Sequence, residues 1–141
     1  MVRIFLDTNV LVRYATKDDI KKFVGVMDFF KLVAKGEIIP YLSSVVLLEL
    51  VFVLKSVYGF TKLEIMDVVS HVVKMRGVVI VDKTDLKLAL EYLDKHRVKF
   101  SDCLIASSVP KGVKVFSYDD DFRKLKLDLV DPKDFAFKAR P

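Results

Sequence analysis

The 141-residue chain contains one cysteine, one asparagine and no glutamine, and only four prolines and five glycines. A single cysteine, Cys103, excludes an intramolecular disulfide and suits a reducing compartment. So little Pro and Gly excludes a collagen-like or low-complexity chain. A hydrophobic content of 52% excludes intrinsic disorder. Long apolar runs are missing as well. The longest, residues 45–54, is broken by Glu49 and falls far short of the ~20 residues a membrane span needs. Asp7 interrupts what would be the apolar centre of a signal peptide, and no small-residue cleavage site follows. The expectation is a soluble cytoplasmic protein with no membrane contact. Nucleophilic and phosphate-loop chemistry also lack their parts. There is no Gly-rich loop, Cys103 adjoins an acid, and the two histidines are unpromising bases. His71 lies among Val68, Val69, Val72 and Val73 on a helix face, and His96 lies in a charged stretch.

What remains is a basic, charge-rich chain. It has 24 Lys and Arg against 19 Asp and Glu, a net charge of +5 that is compatible with a polyanionic partner. Abundant charge with almost no amide side chains is the composition of heat-adapted proteins. Where amides are this scarce, Asn9 invites a functional explanation. The length fits one domain over residues 1–141, large enough to bury about 70% of its unfolded surface.

Short apolar runs alternate with helical patterns. Residues 2–6 read as a buried strand ending in Asp7, and residues 9–14 as a short helix. Asp18 or Asp19 caps a helix through Lys35, with Gly36 as its stop. Residues 38–42 form a second strand, which Pro40 places at an edge or shortens. Ser43 or Ser44 caps a helix to Tyr58, and Thr61-x-x-Glu64 is a capping box for the next. Residues 78–81, 113–117 and 127–130 complete the strands. Thr84 or Asp85, and then Ser101 and Asp102, open two further helices. The tail after Pro132 is mixed. Phe23, Phe29, Phe30 and Phe52 have the spacing of core residues. This alternation predicts an α/β protein with a mostly parallel sheet between layers of helices, whose ligands bind beyond the carboxyl ends of the strands.

Acids stand at those ends. Asp7 follows Ile4-Phe5-Leu6; on its own it reads equally as a helix cap or an Asx turn. Glu49 is the one polar residue in residues 45–54, a helix apolar all round and so expected to be buried on all sides. A carboxylate there needs a partner, whether Lys55 or a bound ion. Asp102 suits the first turn of a helix, but also a ligand position. Asp119, Asp120 and Asp121 follow a strand together. Two such charges ~4 Å apart at an effective dielectric of ~20 repel by about 4 kcal/mol, which a bound cation relieves. Carboxylates without His or Cys suit Mg²⁺ or Mn²⁺. The net positive charge then belongs on the rims, with Arg13, Lys17, Lys21 and Lys22 near the first acid and Arg123, Lys124 and Lys126 near the last.

Four segments carry a resemblance: Ile4-Phe5-Leu6-Asp7-Thr8-Asn9-Val10, Ser44 through Glu49 to Leu54, Phe100-Ser101-Asp102-Cys103-Leu104-Ile105-Ala106, and Phe116-Ser117-Tyr118-Asp119-Asp120-Asp121-Phe122. They resemble the acidic motifs of PIN-domain ribonucleases, and in size and order those of the VapC toxins of VapBC toxin–antitoxin pairs. The resemblance spans nearly the whole chain. It implies a three-layer α/β/α sandwich and metal-dependent cleavage of RNA. Asp7, Glu49, Asp102 and Asp119 would be catalytic metal ligands, with Asp121 as the second acid of the last motif. Thr8 and Asn9 would support the first acid, Asn9 by orienting its carboxylate or a water. Ser44 would lie near the metal. The resemblance further implies a homodimer and a VapB-like antitoxin over the cleft.

Three other readings fit parts of the chain. A receiver-like signalling module would use Asp82 as phosphoacceptor, but gives no reason for Glu49. A binding-only protein would hold RNA on its rims without turnover. A phosphatase with Asp-x-Asp after the first strand would need an acid where Asn9 stands.

Overall fold

The computed structural model describes residues 2–17 and 19–130. In chain order the elements are β1 (Val2–Leu6), α1 (Thr8–Thr16), α2 (Ile20–Ala34), β2 (Ile38–Ser43), α3 (Ser44–Ser56), α4 (Lys62–Val73), β3 (Val79–Val81), α5 (Leu86–Lys95), α6 (Phe100–Ser108), β4 (Lys114–Phe116), α7 (Asp121–Lys124) and β5 (Leu129–Val130). The five strands form one sheet in the order β3-β2-β1-β4-β5, and all four pairings are parallel. Successive residues of a strand point to opposite faces, yet Ile4, Phe5 and Leu6 are all buried. Both faces of the sheet are therefore covered. The connections from β1 to β2 and β2 to β3 run one way along the sheet and the path from β3 to β4 reverses, so right-handed crossovers bring helices to both faces. Phe29 of α2 packs its ring 4.7 Å from that of Phe116 on β4, tying helix layer to sheet.

The local signals work as their chemistry requires. Asp19 Oδ1 accepts from the Lys22 amide at 3.2 Å, and Gly36 stands after α2 with φ +77°. Thr61 and Glu64 form both halves of the capping box, at 3.2 and 2.9 Å. Asp85 caps α5 through the Leu88 amide at 3.0 Å. Of the two serines before α3, Ser43 is the cap, accepting from the Val45 and Val46 amides at 3.0 and 3.4 Å. Asp18 and the tail after Pro132 lie outside the described residues.

Two expectations are corrected. Strand β2 is not an edge: it sits between β1 and β3 despite Pro40. Its pairing with β3 begins only at Tyr41, so at Pro40 the strand has one paired side and the missing N–H is tolerated. Helix α3 is not buried on all sides. It packs through the row Val46, Leu50 and Leu54, while Leu48 is 72% and Phe52 66% exposed. Phe52 is therefore surface rather than core, and Glu49, one position off the packed row, is half-buried. An apolar sequence cannot by itself distinguish a core face from an apolar surface.

Candidate functional site

The strand order sets where a crevice opens. Chain connections leave β1 and β4 in opposite directions, and beyond the carboxyl ends of two such strands the sheet presents a natural binding site. Asp7 follows β1 directly, and Ser117, Tyr118 and Asp119 follow β4. A cavity of about 290 Å³ opens there. It is lined by Asp7, Thr8, Asn9, Val12 and Arg13 from β1 and α1, Glu49 and Val53 from α3, Lys99 and Asp102 at the start of α6, and Asp119. Acids separated by up to 112 residues thus meet in one hollow.

Asp7 and Asp102 are its floor, only 4% and 3% exposed. Ser117 Oγ donates to Asp7 Oδ2 at 2.7 Å, whereas Asp7 Oδ1 and Asp102 Oδ2 are buried without a hydrogen-bond partner. The Thr8 hydroxyl beside them is likewise buried and unpartnered. Burial drives the Asp7 carboxyl up to about 7, against the Ser117 and Thr8 hydrogen bonds and aided by the charges of Asp102 and Glu49. Burial also raises Asp102 to about 6; Lys99 opposes the shift, and Glu49, Asp119 and Asp121 add to it. Asp102, Asp119 and Asp121 each place a carboxylate oxygen within 4.8 Å of the others. Buried carboxylate oxygens without donors are costly unless a cation completes them. An all-oxygen set of this kind fits a hard divalent ion such as Mg²⁺ or Mn²⁺.

The three acids after β4 separate by environment. Asp119 lines the cavity and accepts from the Asp121 amide at 2.9 Å, an Asx-type turn that starts the short helix α7. Asp120 points away and pairs with Arg123 at 3.2 Å, its side chain 89% exposed. Asp121 joins the cluster while pairing with Lys124 at 3.0 Å.

Asn9 acts indirectly. Its Nδ2 donates to Ser117 Oγ at 3.2 Å and its Oδ1 accepts from the Tyr118 amide at 3.1 Å. It locks the loop after β4 against α1, and Ser117 passes that constraint to Asp7. Ser117 also accepts from the Asp119 amide at 2.9 Å, so one hydroxyl orients acids from two motifs. Sequence reasoning missed Ser117. The available signal was a small hydroxyl residue directly after an apolar strand. Lys99 was missed too, although it lies three residues before Asp102. Ser44 is exposed and does not line the cavity.

The rim cations divide as well. Arg13 lines the cavity. Lys17 lies over the Phe23 ring at 5.5 Å and Lys22 over the Tyr118 ring at 5.2 Å, while the Tyr118 hydroxyl donates to the Lys22 carbonyl at 2.8 Å. Lys21 is exposed. Asp82, after edge strand β3, is exposed and outside the cavity. The observed strand order also differs from the 2-1-3-4-5 order of receiver domains.

Replacing Ser117 with Ala removes three hydrogen bonds at once. Ser117→Ala should weaken Mn²⁺ binding roughly 10- to 100-fold, the usual consequence of losing a group that orients a ligand. Titration of Mn²⁺ into the folded variant checks this.

The fold is shared with toxin–antitoxin proteins of known structure. A VapBC2 structure from Rickettsia felis, bound to a DNA fragment from its promoter, superposes with a TM-score of 0.69 at 22% identity, covering 92% of this chain and 98% of that one. DNA-bound VapBC from Salmonella typhimurium gives 0.69 at 19% identity, over 94% and 99% of the two chains. VapC20 of Mycobacterium tuberculosis, described as a Sarcin–Ricin loop cleaving toxin, gives 0.69 at 19% identity, over 90% and 98%. No curated protein matches the sequence. The model of the PIN domain family matches residues 4–127, the span that carries every acid of the cavity, and the chain belongs to that family.

Proposed function

We propose that this PIN-domain protein is a divalent-metal-dependent endoribonuclease that hydrolyses RNA phosphodiesters, and that it is the toxin of a VapBC-type pair. The observation that carries the reading is the meeting of Asp7, Glu49, Asp102 and Asp119 in one cavity, with Asp7 Oδ1 and Asp102 Oδ2 buried and unpartnered. VapC20, of like fold, is described as a Sarcin–Ricin loop cleaving toxin, which supports a cleaving toxin as the reading here. The VapBC neighbours support a VapB-like antitoxin as partner. A homodimer and a cytoplasmic location complete the proposal. Among the described residues no helix is long and apolar enough to cross a membrane.

Asp7, Glu49, Asp102, Asp119 and Asp121 would hold Mg²⁺ or Mn²⁺; of these, Asp102, Asp119 and Asp121 bring carboxylate oxygens within 4.8 Å of one another, and Asp7 and Glu49 line the same cavity. A divalent cation there supplies Lewis acidity to the phosphoryl group and eases deprotonation of water. The chain's own contribution is positional. Ser117 fixes the Asp7 carboxylate, Asn9 fixes Ser117, and the Asx turn at Asp119 aims the fourth acid inward. The basic rims of Arg13, Lys17, Lys21, Lys22, Arg123 and Lys124 would guide the backbone, although the last two are partly neutralised by Asp120 and Asp121. The test is incubation of a mixed RNA pool with the purified protein. Cleavage in Mn²⁺ or Mg²⁺ that stops in EDTA is the expected result. Metal binding by a folded protein with no cleavage would favour the RNA-binding reading without turnover.

A further inference from the structure

We propose that Lys99 is a substrate-positioning residue whose ammonium holds a phosphate of the RNA at the mouth of the acidic cavity. The inference rests on the nuclease reading above and adds a specific contact to it.

Lys99 stands where local rules disfavour it. It is the N-cap of α6, with φ −64° and ψ 152°, and makes no side-chain cap hydrogen bond. Helix N-caps favour Ser, Thr, Asp or Asn, whose oxygens accept from the free amides of the first turn; a lysine has no acceptor to offer. Its positive charge also sits at the positive end of the helix dipole. Such departures from local preference are expected where function requires the residue.

Its surroundings specify the function. Four carboxylates line the cavity, and the two cations among its lining residues are Arg13 and Lys99. Of the other basic residues near the acids, Arg123 and Lys124 pair with Asp120 and Asp121, Lys17 and Lys22 lie over aromatic rings, and Lys21 is exposed without lining the cavity. Lys99 is exposed and forms no ion pair with any described residue, and it lines the cavity together with Asp102 at the start of the same helix. An ammonium cannot ligate a divalent cation and is repelled by one. Beside a loaded metal site the partner it suits is an anion, and the anion of an RNA chain is the phosphodiester. A single ammonium offers a point contact to phosphate, independent of base sequence.

The two ligands of the cavity therefore respond to Lys99 with opposite sign, and this separates positioning from a structural role. In the full chain, Lys99→Gln should bind Mn²⁺ as tightly as wild type or more tightly. In steady-state cleavage of the mixed RNA pool with Mn²⁺ it should raise KM about tenfold, the effect of losing one charge-assisted hydrogen bond. The dependence of log KM on log salt should flatten by about 0.7, the value for one phosphate contact on a single strand. Lys99→Arg should restore most of the affinity. Unchanged KM and salt dependence in Lys99→Gln, with wild type active, would overturn the assignment. So would a loss of Mn²⁺ binding parallel to the loss of RNA affinity. Absence of metal-dependent cleavage in the wild type would instead remove the nuclease reading, and this inference with it.

Discussion

Asp7→Asn is expected to abolish RNA cleavage and, at alkaline pH without metal, to stabilise the protein. The activity loss should be on the order of a thousandfold or more, since the substitution removes a charged ligand from a site whose Lewis acid supplies several kcal/mol. The stability gain follows from burial. An ionised Asp7 is held in a site 4% exposed, with one carboxylate oxygen unpartnered and the charges of Asp102 and Glu49 nearby. Asparagine keeps the shape and can still accept from Ser117, but leaves its own amide hydrogens short of partners. The net gain is therefore about 1–2 kcal/mol near pH 8, less than the full relief of the charge. Denaturant midpoints in EDTA, paired with cleavage assays in Mn²⁺, read both effects. Acquiring stability while losing function is the usual sign of a residue retained for its chemistry. A variant that lost both would mark Asp7 as structural.

The second large effect is the response of the wild type to pH and metal together. In the unfolded chain the Asp7 carboxyl ionises near 3.8; in the fold it ionises at about 7. Asp102 shifts in the same direction, to about 6. Between these values the native protein retains protons that the unfolded chain has released, so stability falls as pH rises through the window. For Asp7 alone the shift corresponds to about 4 kcal/mol as an upper bound. Metal-free protein should thus melt at a lower temperature near pH 8 than near pH 5, opposite to the behaviour of salt-bridged carboxylates. Mn²⁺ should reverse the loss. It competes with protons for the same oxygens, so its stabilisation should be large near pH 8 and small near pH 5. Thermal melts at both pH values, with Mn²⁺ and with EDTA, test the prediction. A metal-free protein that stabilised steadily up to pH 8 would contradict it.

Much of this was written in short-range signals. The positions of Asp7 and Asp102 were legible because one ends an apolar strand just before a helix and the other opens an apolar run in a helix's first turn, where both a cap and a ligand belong. Capping residues such as Thr61, Glu64 and Asp85 were legible because their partners lie three residues away. What depended on the rest of the molecule was not. Ser117 and Asp7 are 110 residues apart, and nothing local in the sequence joins them. The position of β2 inside the sheet depends on where β3 begins to pair, which a proline rule applied to one strand cannot foresee. The exposure of Leu48 and Phe52 depends on which row of α3 meets the core. Lys99 was passed over because a cation before a helix looks like ordinary surface until the cavity it faces is known.

The claim on which everything else rests is that acids from four separate segments form one divalent-cation site. Titration of Mn²⁺ into metal-free protein near pH 7.5, wild type against Asp102→Asn, tests it most directly. Saturable binding by the wild type, accompanied by proton release, is expected, with its loss in a variant that remains folded. Equal binding by both proteins, or none by a folded wild type, would contradict it.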